Sequence, residues 1–498
     1  MRGFLSSLGV LLALAHFSQQ VPEEDTRDYY IGAVVEFTPK FYFSEKTVLE
    51  NTKLYIEHIQ NARKQNVDII VFPEDGITSL DIPGLPEMDA WTTAVPSAED
   101  NFNPCLQDRA NVTQVMKMLS CAARDNKMYV VVNVAEKFVD LNGTHYYNTN
   151  AVFDRNGKII ARYRKVNLYI EPDFEPSPQP PNIVTFDTDF GVRFGTFICF
   201  DIFYPVPGLI LTRDLGITDI VYTTAWFSES PFTTAVQMHF GWAYSEDVNF
   251  LSAGHNRPLI GCTGSGIYLG RGGLANATMS DSNGSKLLVS RVPKKKGPRL
   301  ARPLTMQERF VETKEKTKQD CYKENMKRRG VVRGVLLKRD DFIPYETVPL
   351  TGPLFEKTLC HRDFCCEFKV NSTVDQSSNY RAVVYSGCRY IGGTSTENGI
   401  RVCGLTQCSD KDPESCGVVQ SSNVQFNNVS ITATFDDLTW SSSIPSTLNP
   451  ELLPFDDFVY DEYILPNKTV ATLVLTKPQT DISSFSIYAR DYFNDSPH

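Results

Sequence analysis

The chain lacks net positive charge. Its 59 acidic side chains outnumber 49 basic ones, leaving −10 at neutral pH over 498 residues. No nucleic-acid partner is therefore expected, because phosphate binding needs net or patchy basic charge. The last residues, IYARDYFNDSPH (487–498), carry no apolar run. Neither a GPI signal nor any other membrane anchor is expected there. Outside one dense, disulfide-like group, no His and Cys stand at zinc-ligand spacing, so no metal is expected. No papain-like CGSCW run surrounds any cysteine, which sets aside that type of Cys–His protease. No repeat of 20–50 residues is present, which argues against a solenoid.

What the sequence does contain begins with residues 1–20, MRGFLSSLGVLLALAHFSQQ. Arg2 supplies a short positive region and Gly3 to Phe17 an apolar one. Ala13, Ala15 and Ser18 are small residues suited to cleavage. The run is too short to span a bilayer comfortably, so 1–20 reads as a secretory signal peptide, with an uncleaved anchor as the alternative. N-x-S/T sequons at Asn111, Asn142, Asn276, Asn283, Asn371, Asn428 and Asn467 agree with export and predict glycosylation. The expected location is secreted and extracellular.

An oxidising compartment makes disulfides the default for the twelve cysteines. Cys105 and Cys121 flank a short segment and are expected to pair. Cys321, Cys360, Cys365, Cys366, Cys388, Cys403, Cys408 and Cys416 are expected to staple a C-terminal, loop-rich module, with their connectivity left open. Cys199 and Cys262 stand apart, each alone in an apolar or glycine-rich stretch. They either bridge each other, fill the core as free thiols, or include a nucleophile.

Residues 28–290 alternate strand and helix patterns. YYIGAVVEF and VDIIVFPE read as strands, separated by a helix over 44–65 with Ser44 as its N-cap, whose apolar residues recur every three or four positions. A helix over 111–126, a strand over 127–137 and a hairpin turning at Arg155–Gly157 follow. Then come a strand ending at Cys199, a helix near Val206–Leu215, the strand TDIVYTTAW, a helix over Thr233–Asp247 and two further strands. This order predicts a layered α/β domain. Residues 291–335 are basic and weakly patterned, as in a solvated linker. Residues 336–498 carry short alternating stretches and predict a mostly-β module.

Three strands of the first domain end in reactive side chains: Glu74, Lys165 (with Glu171 six residues on) and Cys199. Strand ends in α/β sheets commonly converge on one rim, where ligands bind. A carboxylate, an ammonium and a thiol gathered there suit attack on a carbonyl. Sulfur reacts as thiolate. Lys165 would lower the thiol pKa and face the oxyanion, and Glu74 would accept the thiol proton and later activate water. Read singly, Lys165 competes with Arg162 and Arg164 for the cation role. Glu74 reads equally as a turn residue after Pro73, and Glu171 as a loop residue before Pro172. Trp226, His239 and Trp242 are pocket candidates whose commoner role is core packing.

Taken together, VFPEDG, YRKVNLYIE, ICFDI, YTTAW and GSGIYLG resemble the vanin/biotinidase branch of the nitrilase superfamily, and LCHRDFCCEF resembles its C-terminal module. The resemblance implies an αββα sandwich carrying a disulfide-stapled β module. It also implies a carbon–nitrogen hydrolase needing no cofactor. Its roles fall on Glu74 as general base, Lys165 as oxyanion stabiliser, Cys199 as nucleophile and Glu171 as support. It implies a small-molecule amide substrate: pantetheine first, biocytin second. A non-catalytic secreted binding glycoprotein is the alternative of another class. A monomer is favoured over a homodimer, because the extra module would cover the face through which related sandwiches dimerise.

Overall fold

The computed structural model describes residues 25–297, 321–323, 329–373, 379–435, 441–465 and 468–495. The signal region 1–20, the Asn467 sequon and most of the basic stretch between 298 and 328 lie outside the described residues.

Two six-stranded sheets face each other. The first contains β1 (Tyr29–Glu36), β2 (Ile69–Val71), β3 (Tyr129–Asp140), β4 (Gly143–Phe153) and β5 (Ile159–Arg164), and Lys286–Pro293 pairs with the outer side of β1. The second contains β6 (Thr185–Asp187), β7 (Arg193–Ile198) and β8 (Asp219–Thr223), followed by Asn249–Ala253, Ser265–Leu269 and Leu274–Thr278. Period-two alternation explains the stacking. Val34, Ile69, Val71 and Val131 of the first sheet pack against Phe194, Val221 and Leu251 of the second. The opposite side chains, Ala33, Val35 and Ile70, pack on α1 (Lys46–Arg63) and α2 (Gln114–Asn126). On the far side, Phe197, Tyr222 and Phe250 pack on α3 (Ala235–Glu246). The domain is thus an αββα sandwich.

Two local expectations change. The helix near Val206–Leu215 shrinks to a π turn, Ile210–Asp214. Pro205 and Pro207 precede it, and neither offers the N–H that a longer helix needs. Ser44 does not cap α1, whose N-cap position is Glu45 without a side-chain bond.

The C-terminal part is β-rich. Phe364–Ser372, Gln425–Phe435 and Lys468–Leu475 lie in one sheet, and Asn379–Tyr390, Glu397–Cys408 and Ser484–Asp491 in another. Four bridges staple it: Cys321–Cys388, Cys360–Cys365, Cys366–Cys403 and Cys408–Cys416. Cys105–Cys121 closes a loop of the first domain.

This part docks directly on the sandwich. The strand Ser441–Leu448 lies so close to α3 that a Cβ at Gly241 would stand 2.3 Å from the Pro445 carbonyl oxygen. Val335–Arg339 pairs with Glu229–Ser230 of the first domain. Beside that pairing Arg389, only 2% exposed, bonds Glu229 at 2.6 Å and Asp340 at 3.1 Å. Removing one partner of a buried ion cluster strands the other charges. Arg389→Met is expected to cost about 3–5 kcal/mol, read as a lower urea midpoint. An unchanged midpoint would show that desolvation already cancels the attraction.

Candidate active site

The segments following β2, β5 and β7 converge. Glu74, Lys165 and Cys199 line one cavity of about 540 Å³ together with Glu171. Glu74 and Lys165 are 2% and 1% exposed, so both charges require partners. The Lys165 Nζ donates to Glu74 Oε1 at 2.7 Å and to Glu171 Oε1. The Asn148 side-chain amide donates to Glu74 Oε1 and to Glu171 Oε2, each at 2.9 Å. The Ala225 N–H donates to Glu74 Oε2 at 2.9 Å. His255 Nε2–H donates to the Glu74 carbonyl at 2.6 Å, fixing the backbone beneath the carboxylate.

Burial pulls the Lys165 pKa down, but Glu171 and Glu74 outweigh it and hold the pKa well above the ordinary lysine value. The side chain is therefore an ammonium. The competition among three cations is resolved by direction. Arg164 takes Glu136 at 2.6 and 2.9 Å, and Arg162 reaches Glu136 at 3.6 Å and the Val95 carbonyl at 2.8 Å. Lys165 alone of the three lines the cavity.

Cys199 and Cys262 are both free and buried, so the bridge between them does not form. Cys199 has φ +44°, a conformation rare for any residue but glycine. The turn Cys199–Phe203 is held there by Asp201, whose carboxylate accepts the Ile198 N–H at 3.1 Å, the Asn167 N–H at 2.8 Å and the Tyr163 hydroxyl at 2.6 Å. The Tyr222 hydroxyl donates to the Cys199 carbonyl at 2.8 Å. These bonds hold a strained residue at the strand end.

Lys165 acts on the thiol pKa in the expected direction, lowering it, but it is outweighed. Burial raises the pKa well above the ordinary thiol value, Glu74 adds to this, and Lys165 offsets only part. Burial is the largest of these effects, and the Glu74 charge comes next.

Sequence reasoning missed the asparagines. Asn133 donates to Asn148 at 2.7 Å and to Asn150 at 3.1 Å, and Asn150 donates to Thr196 of β7 at 3.0 Å. The signal was present: Asn148 and Asn150 stand two apart in buried β4, where their side chains share one face. Trp226 borders a smaller cavity adjoining Cys199. Trp242 packs in the core. His239 is bonded by Ser252 at 3.0 Å, and burial pushes its pKa down to about 3. The cavity's other wall comes from the C-terminal part, through Lys338 and Gly392. The Tyr169 hydroxyl donates to the Gly392 carbonyl at 2.7 Å. Among the described residues no group of three or more His, Cys, Asp and Glu is placed to hold a metal ion, and no helix is long and apolar enough to cross a membrane.

Comparison with known proteins places this geometry. The carbon-nitrogen hydrolase profile matches residues 33–240, and the vanin C-terminal domain matches residues 335–495. Vanin-like protein 1 of Drosophila melanogaster is 34% identical over 99% of this chain and 91% of its own. Bovine pantetheinase is 31% identical, covering 76% of this chain and 72% of its own. A biotinidase of Takifugu rubripes is 31% identical, covering 78% and 81% respectively.

Alkylation of the native protein tests the thiol environment. Cys199 lines the cavity whereas Cys262 is 0% exposed. Iodoacetamide is expected to label Cys199 without prior reduction. A raised pKa leaves little thiolate at neutral pH, so the rate should climb steadily as pH rises toward the alkaline range. A rate already on a plateau at neutral pH would show an ionised sulfur instead.

Proposed function

The chain belongs to the vanin group of the carbon-nitrogen hydrolases, and on that footing we propose that it cleaves pantetheine to pantothenate and cysteamine through a Cys199 thioester. The observation carrying the reading is the single cavity shared by Cys199, Glu74 and Lys165. A carboxylate offers about four lone-pair sites. Lys165, Asn148 and Ala225 occupy three on Glu74, leaving one on Oε2 for the thiol proton. Lys165 has three N–H groups, of which Glu74 and Glu171 take two among the described residues. The third can meet an oxyanion.

In this scheme Glu74 takes the Cys199 proton as sulfur adds to the amide carbonyl. The oxyanion is held by Lys165 and by the Phe200 N–H. Collapse breaks the C–N bond, and Glu74 returns its proton to the leaving amine. Water then enters, Glu74 takes one of its protons, and the thioester opens to the carboxylic acid with the thiol restored. Glu171 and Asn148 position Lys165 and Glu74 without touching the reacting atoms.

The five disulfides support an oxidising compartment and the secreted reading. Asn111, Asn142, Asn283, Asn371 and Asn428 are exposed, as N-glycosylation requires, and Asn276 is half-buried. The module seated on α3 supports a monomer. The fish biotinidase match favours biocytin as a second substrate.

A paired assay decides. Thiol released from pantetheine and biotin released from biocytin are measured for wild type and Cys199→Ala. Pantetheine cleavage is expected in wild type, falling at least about a thousandfold in the variant, as when a covalent nucleophile is lost. Preferential biocytin cleavage would replace the substrate. Turnover of neither, with a ligand still bound, would make the protein a binding glycoprotein.

A further inference from the structure

One carboxyl group in the cavity stands outside the hydrogen-bond network. Asp75 follows Glu74 directly and lines the same cavity, half-buried. Its backbone has φ +50°, a region that Asp tolerates better than most residues. Its N–H donates to Asn133 Oδ1 at 2.9 Å, and its carbonyl accepts the Thr78 hydroxyl at 3.4 Å. Asn133 also holds Asn148, which bridges Glu74 and Glu171. The backbone is therefore fixed by the same ladder that fixes the charge cluster. Yet the carboxyl oxygens of Asp75 have no hydrogen-bond partner among the described residues. The other acidic side chains of the cavity all have one: Glu74 and Glu171 take Lys165 and Asn148, and Asp173 accepts the Leu85 N–H at 3.4 Å.

We propose that Asp75 is a substrate-binding residue whose carboxylic acid O–H donates to an acceptor oxygen near the scissile amide. The site then favours amides carrying a neutral hydroxyl or second amide there over amides carrying an ammonium. The assignment rests on the amidase reading above and narrows its substrate class. Pantetheine carries both kinds of acceptor in its acyl half.

The neighbours of Asp75 explain why it keeps its proton. Burial disfavours the anion, Glu74 and Glu171 repel it, and only Lys165 pulls the other way. An ionised Asp75 would set a third carboxylate against one ammonium, a poorly compensated arrangement. As the acid it adds no charge and supplies a donor.

The test compares wild type, Asp75→Asn and Asp75→Ala on whichever of pantetheine and biocytin the wild type cleaves. KM and kcat are followed from about pH 6 to about pH 9. Iodoacetamide labelling of Cys199 and the urea midpoint confirm an intact site in each variant. Asn keeps a side-chain donor, and Ala removes it. Asp75→Ala is expected to raise KM about tenfold with kcat less affected, the scale of one lost hydrogen bond. Asp75→Asn should stay within about threefold of wild type. Wild-type KM should rise toward alkaline pH as Asp75 ionises, and the Asn variant should remain flat. An Ala variant with unchanged KM, or an Asn variant as impaired as Ala, overturns the assignment alone. A wild type that cleaves neither amide overturns the substrate reading and this assignment with it.

Discussion

One buried ammonium held between two carboxylates governs the site. Burying the three charges of Lys165, Glu74 and Glu171 is costly unless each is paired and hydrogen-bonded. The structure meets that condition with Asn148, whose single NH2 group reaches both carboxylates, and with the Ala225 N–H. Those donors lie on β4 and just beyond β8, one in each sheet region. The cluster is complete only when the two sheets are correctly stacked, so the fold and the charge arrangement specify each other. The asparagine ladder through Asn133 and Asn150 to Thr196 extends the same coupling to the strand that carries Cys199.

Burial beside Glu74 decides the character of the sulfur. A cysteine beside an unshared cation ionises readily and needs no base. Here burial and the Glu74 charge outweigh Lys165 and raise the thiol pKa. A protonated nucleophile needs an acceptor at the moment of attack. In the proposed chemistry the remaining lone-pair site of Glu74 is that acceptor, and the same group can return the proton to the leaving amine. A pre-formed thiolate would have no such proton to give back.

How much of this was legible follows from which interactions are local. The layered α/β order and the β-rich C-terminal part could be read because periodicity is a property of each segment. Glu74, Lys165 and Cys199 could be picked out because each follows a strand and together they resemble a known constellation. The raised thiol pKa could not, because it depends on how deeply the fold buries the sulfur and how near it brings Glu74, facts absent from any one segment. Asn148 was overlooked because an asparagine in a hairpin ordinarily signals a turn, whereas here it is buried in mid-strand. The helix near Val206–Leu215 failed for a simpler reason: two prolines at its start outweighed its apolar pattern.

The C-terminal part bears on the charge cluster through a segment of three residues. The Tyr169 hydroxyl is tied to the Gly392 carbonyl, while the Tyr169 N–H donates to Glu171 Oε1 at 3.0 Å. A side chain at position 392 would place its Cβ 2.1 Å from the Tyr169 hydroxyl oxygen, so only glycine permits this approach. Between Tyr169 and Glu171 sits Ile170 at φ +51°, an outlying conformation for a β-branched residue. Strain of that kind persists only where the surroundings over-determine it. Here the flanking residues are bonded on both sides, Tyr169 to the C-terminal part and Glu171 to Lys165 and Asn148. The C-terminal part therefore forms a wall of the cavity and also anchors, through Tyr169, the segment that carries Glu171.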